Sequence, residues 1–218
     1  MQLRYGKLMM SAIAALAVAG AYASWTITIE RNTGIVFGPT TGGTLNTVAS
    51  VLPFINPLPQ VYVFPAFGNP FPIAAGDGLP FTYGQSLVTY TVSGPASITG
   101  VFIATNGFVR GNAFVSWSKQ VIDLDTNTPI LNFTAEYNGA GLGGRNGGFL
   151  DTQFFNFSTP SSRFRVTDTI TVFTLEAPSA NDVAFAYQFS QEFVPEPASM
   201  LALGVGLAGL VGLRRRKK

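Results

Sequence analysis

The chain has 218 residues and carries little charge: 13 Lys and Arg stand against 11 Asp and Glu, a formal net charge of +2. Cys and His are both absent, which removes a disulfide framework, ordinary zinc sites and Cys–His or Ser–His catalysis. The positive excess sits at the two ends; residues 24–194 hold six basic and ten acidic side chains, so no electrostatic footprint for nucleic acid is present and a polybasic lipid-binding face is not expected.

At the N-terminus, Arg4 and Lys7 precede an uncharged apolar run over residues 8–20 in which Ser11 is the polar interruption. Ala21-Tyr22-Ala23 then puts small residues at the −3 and −1 positions of a cleavage site between Ala23 and Ser24. This is the layout of a secretory signal peptide over residues 1–23, with its apolar run as a short helix. An uncleaved N-terminal anchor is the alternative, although the run is short and Ala-rich for a membrane span.

Residues 24–193 are long enough for one domain with its own core. Low charge together with 19 Phe and frequent Thr, Val, Asn and Gly favours strands over helices. Residues 25–30 alternate apolar and polar, as a half-buried strand does. Residues 51–80 hold seven of the 14 prolines and predict a long loop or irregular edge, with residues 61–64 as a short edge strand. Strand-like runs follow at 86–92, 97–105, 108–122, 130–137, 149–157 and 164–175. Asn106-Gly107 reads as a two-residue hairpin turn between two of them, and residues 123–129 as another turn. The last run alternates most clearly: Val183, Phe185, Tyr187, Phe189 and Phe193 fall on one face and Ala184, Ala186, Gln188, Ser190 and Glu192 on the other. The expected fold is mostly β, an antiparallel β-sandwich or jelly roll.

Motifs that carry chemistry are sparse. Gly139-Ala140-Gly141-Leu142-Gly143-Gly144 spells G-x-G-x-x-G, but a strand-like run follows where a dinucleotide site needs a helix, so a hairpin loop is expected. Asp123, Asp125 and Asn127 place oxygen side chains at alternate positions, as a calcium loop begins. Thr128 stands where that loop needs glycine and no Glu follows at the right distance; an Asx turn is expected, with calcium as the alternative. A carboxylate-based glycosidase needs two facing carboxyl groups, and the sequence pairs none among Asp77, Asp123, Asp125, Glu136, Asp151, Asp168 and Glu176. Trp25, Trp117 and the tyrosines are candidates for stacking on sugar rings. Asn132-Phe133-Thr134 and Asn156-Phe157-Ser158 fit the N-glycosylation pattern by chance. No catalytic residue, metal ligand or cofactor is assigned.

The C-terminus is the most specific part. Val194-Pro195-Glu196-Pro197 leads into an uncharged run over residues 198–213, and Arg214, Arg215, Arg216, Lys217 and Lys218 close the chain. As a helix the run spans ~24 Å against a hydrocarbon core of ~30 Å. Its Leu and Val supply only about 3–4 kcal/mol of insertion energy, helped by snorkelling of the flanking cations. By the positive-inside bias the cations stay cytoplasmic and residues 24–193 lie outside. Pro195 and Pro197 hold the entrance extended and deny it helix. Gly206, Gly209 and Gly212 are spaced by three rather than the four of a helix-dimerisation face.

The segment from Val194 to Lys218 resembles the PEP-CTERM protein-sorting signal, whose three parts occur here in order. That resemblance implies recognition by an exosortase, a membrane protease of exopolysaccharide-producing bacteria, with Pro195, Glu196 and Pro197 as the recognition residues and Arg214 to Lys218 as the stop-transfer tail. It leaves the scissile bond open. A proline-rich linker ahead of an ordinary anchor is the bland alternative. Three functions follow as expectations for residues 24–193: a structural or adhesive surface or matrix protein, a carbohydrate-binding module tethering exopolysaccharide, or a glycosidase without histidine. Mass spectrometry of the mature protein is expected to show residues 1–23 and the segment beyond Pro197 removed. Replacing Pro195 and Pro197 with Ala is expected to leave the C-terminal segment attached.

Overall fold

A computed structural model describes residues 25–37, 49–55, 58–65, 73–75, 82–174 and 182–195. The signal segment with its helix, the helix expected over residues 198–213 and the basic tail lie outside these residues. Among the described residues no helix is long and apolar enough to cross a membrane.

Nine strands follow in chain order: β1 (Thr26–Phe37), β2 (Ala49–Ile55), β3 (Pro59–Pro65), β4 (Ile73–Ala75), β5 (Thr82–Arg110), β6 (Ala113–Asp123), β7 (Thr128–Asn138), β8 (Gly147–Thr174) and β9 (Asp182–Pro195). They pair in the order β2-β3-β9-β5-β8-β6-β7, with β1 on β5 and β4 on β9, and every pairing is antiparallel.

Two long strands turn this one sheet into two layers. β5 and β8 pair from Thr82↔Thr174 to Val109↔Gly147, and the ladder is irregular between Ser93 and Gly100. Pro95 sits in that interval and supplies no ladder donor. Beside it, a Cβ on Gly94 would come within 2.0 Å of the Trp25 indole. The first half of β5 pairs with β1 and its second half with β9; the second half of β8 pairs with β6. The layers β1-β5-β8-β6-β7 and β2-β3-β9-β5-β8 therefore share one bent ribbon and close on each other. Rings meet across the gap: Trp117 and Phe189 at 4.9 Å, Phe164 and Phe193 at 5.1 Å, Phe133 and Phe155 at 4.4 Å. Strand alternation selects what enters the core. In β6 the inward set is Ala113, Val115, Trp117, Lys119, Val121 and Asp123.

Several expected boundaries move. Asn106-Gly107 is not a turn. It lies inside β5, where Gly107 pairs with Phe149 on one side and Ala186 on the other. Glycine is needed there for close approach: a Cβ would meet the Phe149 ring at 2.3 Å and the Phe185 carbonyl oxygen at 2.6 Å. The chain reverses instead at Gly111, with φ +71. The runs at 86–92 and 97–105 fuse into β5, and those at 149–157 and 164–175 into β8, because the bend is carried within each strand rather than by a loop. The proline-rich segment contributes a hairpin of β2 and β3. β3 is flanked on both sides, and β2 takes the outer place.

The alternation expected in β9 breaks at Tyr187. Asn106 pairs with Gln188 but Gly107 with Ala186, so one residue of β9 bulges out and the strand changes phase. Ala184 and Ala186 are buried before the bulge, Phe189, Gln191 and Phe193 after it. Phe185 therefore lies outside, stacked on Phe108 at 5.3 Å. Replacing Gly107 with Ala is expected to lower unfolding free energy by about 1–3 kcal/mol through overpacking, read as a lower denaturant midpoint at unchanged slope.

Candidate functional site

The outer face of the second layer is assembled from alternate residues of five strands. One row runs Phe154 (β8), Phe102 (β5), Glu192 (β9) and Gln60 (β3). The next runs Thr152, Ala104, Ser190, Tyr62 and Leu52. Leu150 and Gln188 flank Asn106 in a third. Phe102, Phe154, Leu52 and Leu150 are 43%, 48%, 55% and 76% exposed, unusual for large apolar side chains on one face.

A glycine sets the geometry of that face. A Cβ on Gly100 would lie 2.7 Å from Cζ of Phe154, so the Phe154 ring lies across the backbone of β5 in the space glycine leaves. Beside the two phenyl rings, the Tyr62 hydroxyl donates to Gln60 Oε1 at 2.9 Å and Gln60 Nε2 donates to Glu192 Oε2 at 3.1 Å. Two aromatic rings thus border a pinned amide and carboxylate. Such a surface offers apolar ring faces beside hydrogen-bonding groups.

The outer face of the first layer differs. β6, β7 and β8 leave an open depression of about 450 Å³ lined by Ser118, Gln120, Asn132, Thr134, Thr167 and Thr169 among others. Its lining offers hydroxyls and amides and no carboxylate, so the pair that a glycosidase requires is not assembled there.

A polar cluster lies between the layers. Lys119 and Asp168 are an ion pair at 2.5 Å with both side chains fully buried. The Trp117 indole N–H donates to Asp168 Oδ1 at 2.9 Å and Gln191 Nε2 donates to Asp168 Oδ2 at 2.7 Å. Lys119 Nζ also donates to Gln191 Oε1. Burial pushes the Lys119 ammonium below its usual range, against the opposing pull of Asp168. Burial first, then the Asp168 charge, pushes the Tyr90 phenol well above its usual range.

The expected site residues divide as follows. Pro195 closes β9 opposite Ile98, and Thr99 Oγ1 donates to the Val194 carbonyl at 3.3 Å. The sheet thus takes up the first two residues of the terminal segment. Ala23, Ser24, Glu196, Pro197, Arg214, Arg215, Arg216, Lys217 and Lys218 lie outside the described residues, as do Asp77 and Glu176. Trp25 and Trp117 are buried core, as is Tyr90, and cannot stack on a ligand; among the described residues the exposed rings are Phe102, Phe154 and Tyr187. Gly139 to Gly144 form a loop with a single 3-10 turn over Ala140–Leu142, without the helix a dinucleotide needs. Asp151 accepts from Tyr137 and Gln153, and Asp125 pairs with Arg163 at the surface. Among the described residues no group of acidic side chains is placed to hold a metal ion.

Asp123 serves its turn: Oδ1 accepts from the Asp125 and Thr126 amides at 2.9 and 2.7 Å, and Asn127 takes φ 54. The neighbouring Ser161 hydroxyl and then the Thr126 amide hold its carboxyl below the ordinary 3.8.

Residues 193–217 match the PEP-CTERM protein-sorting motif. The chain therefore carries that sorting signal, which implies export with membrane-anchored transit. No curated protein matches the chain. Among solved structures, TmCBM61 in complex with β-1,4-galactotriose is 9% identical, with 82% of this chain and 93% of that one covered at a TM-score of 0.31. The carbohydrate-binding module CBM6cm-2 from Cellvibrio mixtus lichenase 5A in complex with cellotriose is 11% identical, with 66% and 86% covered at 0.27. The isomalto-dextranase of Arthrobacter globiformis T6 complexed with panose is 10% identical, with 73% and 23% covered at 0.32.

Because the folded pKa of Asp123 is depressed, its contribution to stability is present above the ordinary carboxylate range and is lost as pH falls through the lowered folded value. Asp123→Asn is expected to cost about 1–2 kcal/mol at neutral pH. The gap from wild type should close in denaturant titrations as the buffer is taken below about pH 3.8.

Proposed function

We propose that this is an exported surface or extracellular-matrix protein with an adhesive role, processed by an exosortase at its C-terminus and binding extracellular polysaccharide on the outer face of its second layer. The observation that carries the reading is the arrangement of Phe154 over Gly100, Phe102 beside it, and the Tyr62–Gln60–Glu192 hydrogen-bond chain along the same rows. A sugar ring has an apolar C–H face and a polar rim, and this surface matches both. With Glu192 at its centre, the face suits a neutral or amino polysaccharide better than a polyanionic one, by simple charge repulsion. In this reading the domain holds glycan without cleaving it, and the PEP-CTERM signal delivers it to the surface.

Retention on insoluble neutral polysaccharides tests the reading. Phe102→Ala and Phe154→Ala are each expected to weaken binding about three- to tenfold with the fold intact. Wild-type retention at background, or retention unchanged in both variants, contradicts it. So does a wild type that associates through this face into dimers and ignores glycan.

A further inference from the structure

We propose that Lys119 and Gln191 join in an intramolecular isopeptide bond, Nζ to Cδ, with Asp168 as the proton carrier and ammonia as the leaving group. The three groups meet in the gap between the layers, contributed by β6, β8 and β9. Lys119 Nζ contacts both Asp168 Oδ1 and Gln191 Oε1, while Gln191 Nε2 donates to Asp168 Oδ2. One carboxylate thus bridges the attacking nitrogen and the nitrogen that must leave, the placement that proton transfer between them requires. All three residues are at most 2% exposed, so water competes poorly for the acyl carbon. The Trp117 indole N–H fixes the carboxylate from the side.

The step balances. Asp168 takes one proton from the Lys119 ammonium, which becomes a neutral amine; burial already favours that form. The Nζ lone pair attacks Cδ of Gln191 and forms the new C–N bond. Asp168 gives its proton to Nε2 as the Cδ–Nε2 bond breaks, and takes a second proton from Nζ. Of the three ammonium protons, one remains on the new amide, one leaves on ammonia and one rests on Asp168. No oxidant, metal or nucleotide is consumed. Fixed approach inside a fold substitutes for the activation that an intermolecular reaction of this kind needs.

The position suits an exported protein. With no Cys in the chain, no disulfide can tie the two layers. β9 runs directly into the terminal segment matched as the sorting motif. A covalent link at Gln191 would pass a pull on that segment to β6 instead of peeling β9 from the sheet.

Intact-mass measurement of the denatured full chain, followed by fragmentation of its proteolytic peptides, tests the proposal. The expected result is a protein lighter than its sequence by one ammonia, about 17 Da, and a branched peptide joined through Lys119 and Gln191. Full sequence mass with linear peptides carrying unmodified Lys119 and Gln191 overturns it. Loss of water with Lys119 joined to Asp168 overturns the pairing. Asp168→Asn is expected to fold with both side chains free; closure of the bond in that variant at the wild-type yield overturns the role of Asp168. The wild-type mass decides the main claim whether or not the variant folds.

Discussion

A lysine and an aspartate share the space between the two layers, and the rest of the structure is arranged around them. Removing both charges from water costs several kcal/mol per ion before their attraction is counted. The cost is offset by the hydrogen bonds around the pair: Trp117 and Gln191 supply donors to Asp168, and Gln191 accepts from Lys119. Lys119 also lies 5.0 Å from the centre of the Trp117 ring. Lys119 and Asp168 sit opposite each other in the β6–β8 ladder, whereas Gln191 comes from β9 in the other layer. The cluster therefore fixes how one layer sits over the other, a constraint that non-directional apolar packing supplies less sharply.

The bent ribbon of β5 and β8 makes that meeting possible. Because both strands run through the bend, each layer receives half of each strand, and the ladder resumes on either side of its irregular stretch between Ser93 and Gly100. Rings pack on both sides of the polar cluster, with Phe189 against Trp117 and Phe193 against Phe164 and Tyr90. With the inner faces closed, the outer faces are free to diverge. The first layer presents a lawn of hydroxyls and amides, the second a pair of phenyl rings beside a pinned carboxylate. The chemical difference between the two sides follows from alternation, since each strand gives one set of residues to the core and the other to its own outer surface.

Much of this was legible in the sequence and some was not. The sorting signal is a linear motif that needs no fold to be recognised, so Val194 to Lys218 could be read directly. Alternation identified the strands but not where they join, because a bend inside a strand leaves the period-two pattern intact on either side. Asn106-Gly107 misled because the same glycine that permits positive φ also permits close approach, and here Phe149 and Phe185 need the second property. In β9 the bulge at Tyr187 inverted the inward set, which no local pattern marks. The sequence points to Trp and Tyr for ring stacking, yet Trp25 and Trp117 are core, and among the described residues the exposed rings are Phe102, Phe154 and Tyr187. The buried cluster did leave a trace: Lys119 stands two residues from Trp117 and two from Val121, a cation between apolar residues of one strand face.

If the cluster locks the layers together, they must open together. Native-state hydrogen exchange on the folded protein measures this directly. The account predicts that amides of residues 189–193 in β9 exchange with the same opening free energy as those of residues 115–121 in β6 and 166–172 in β8, near that of global unfolding. Opening of β9 at clearly lower free energy, with β6 and β8 still closed, would contradict it.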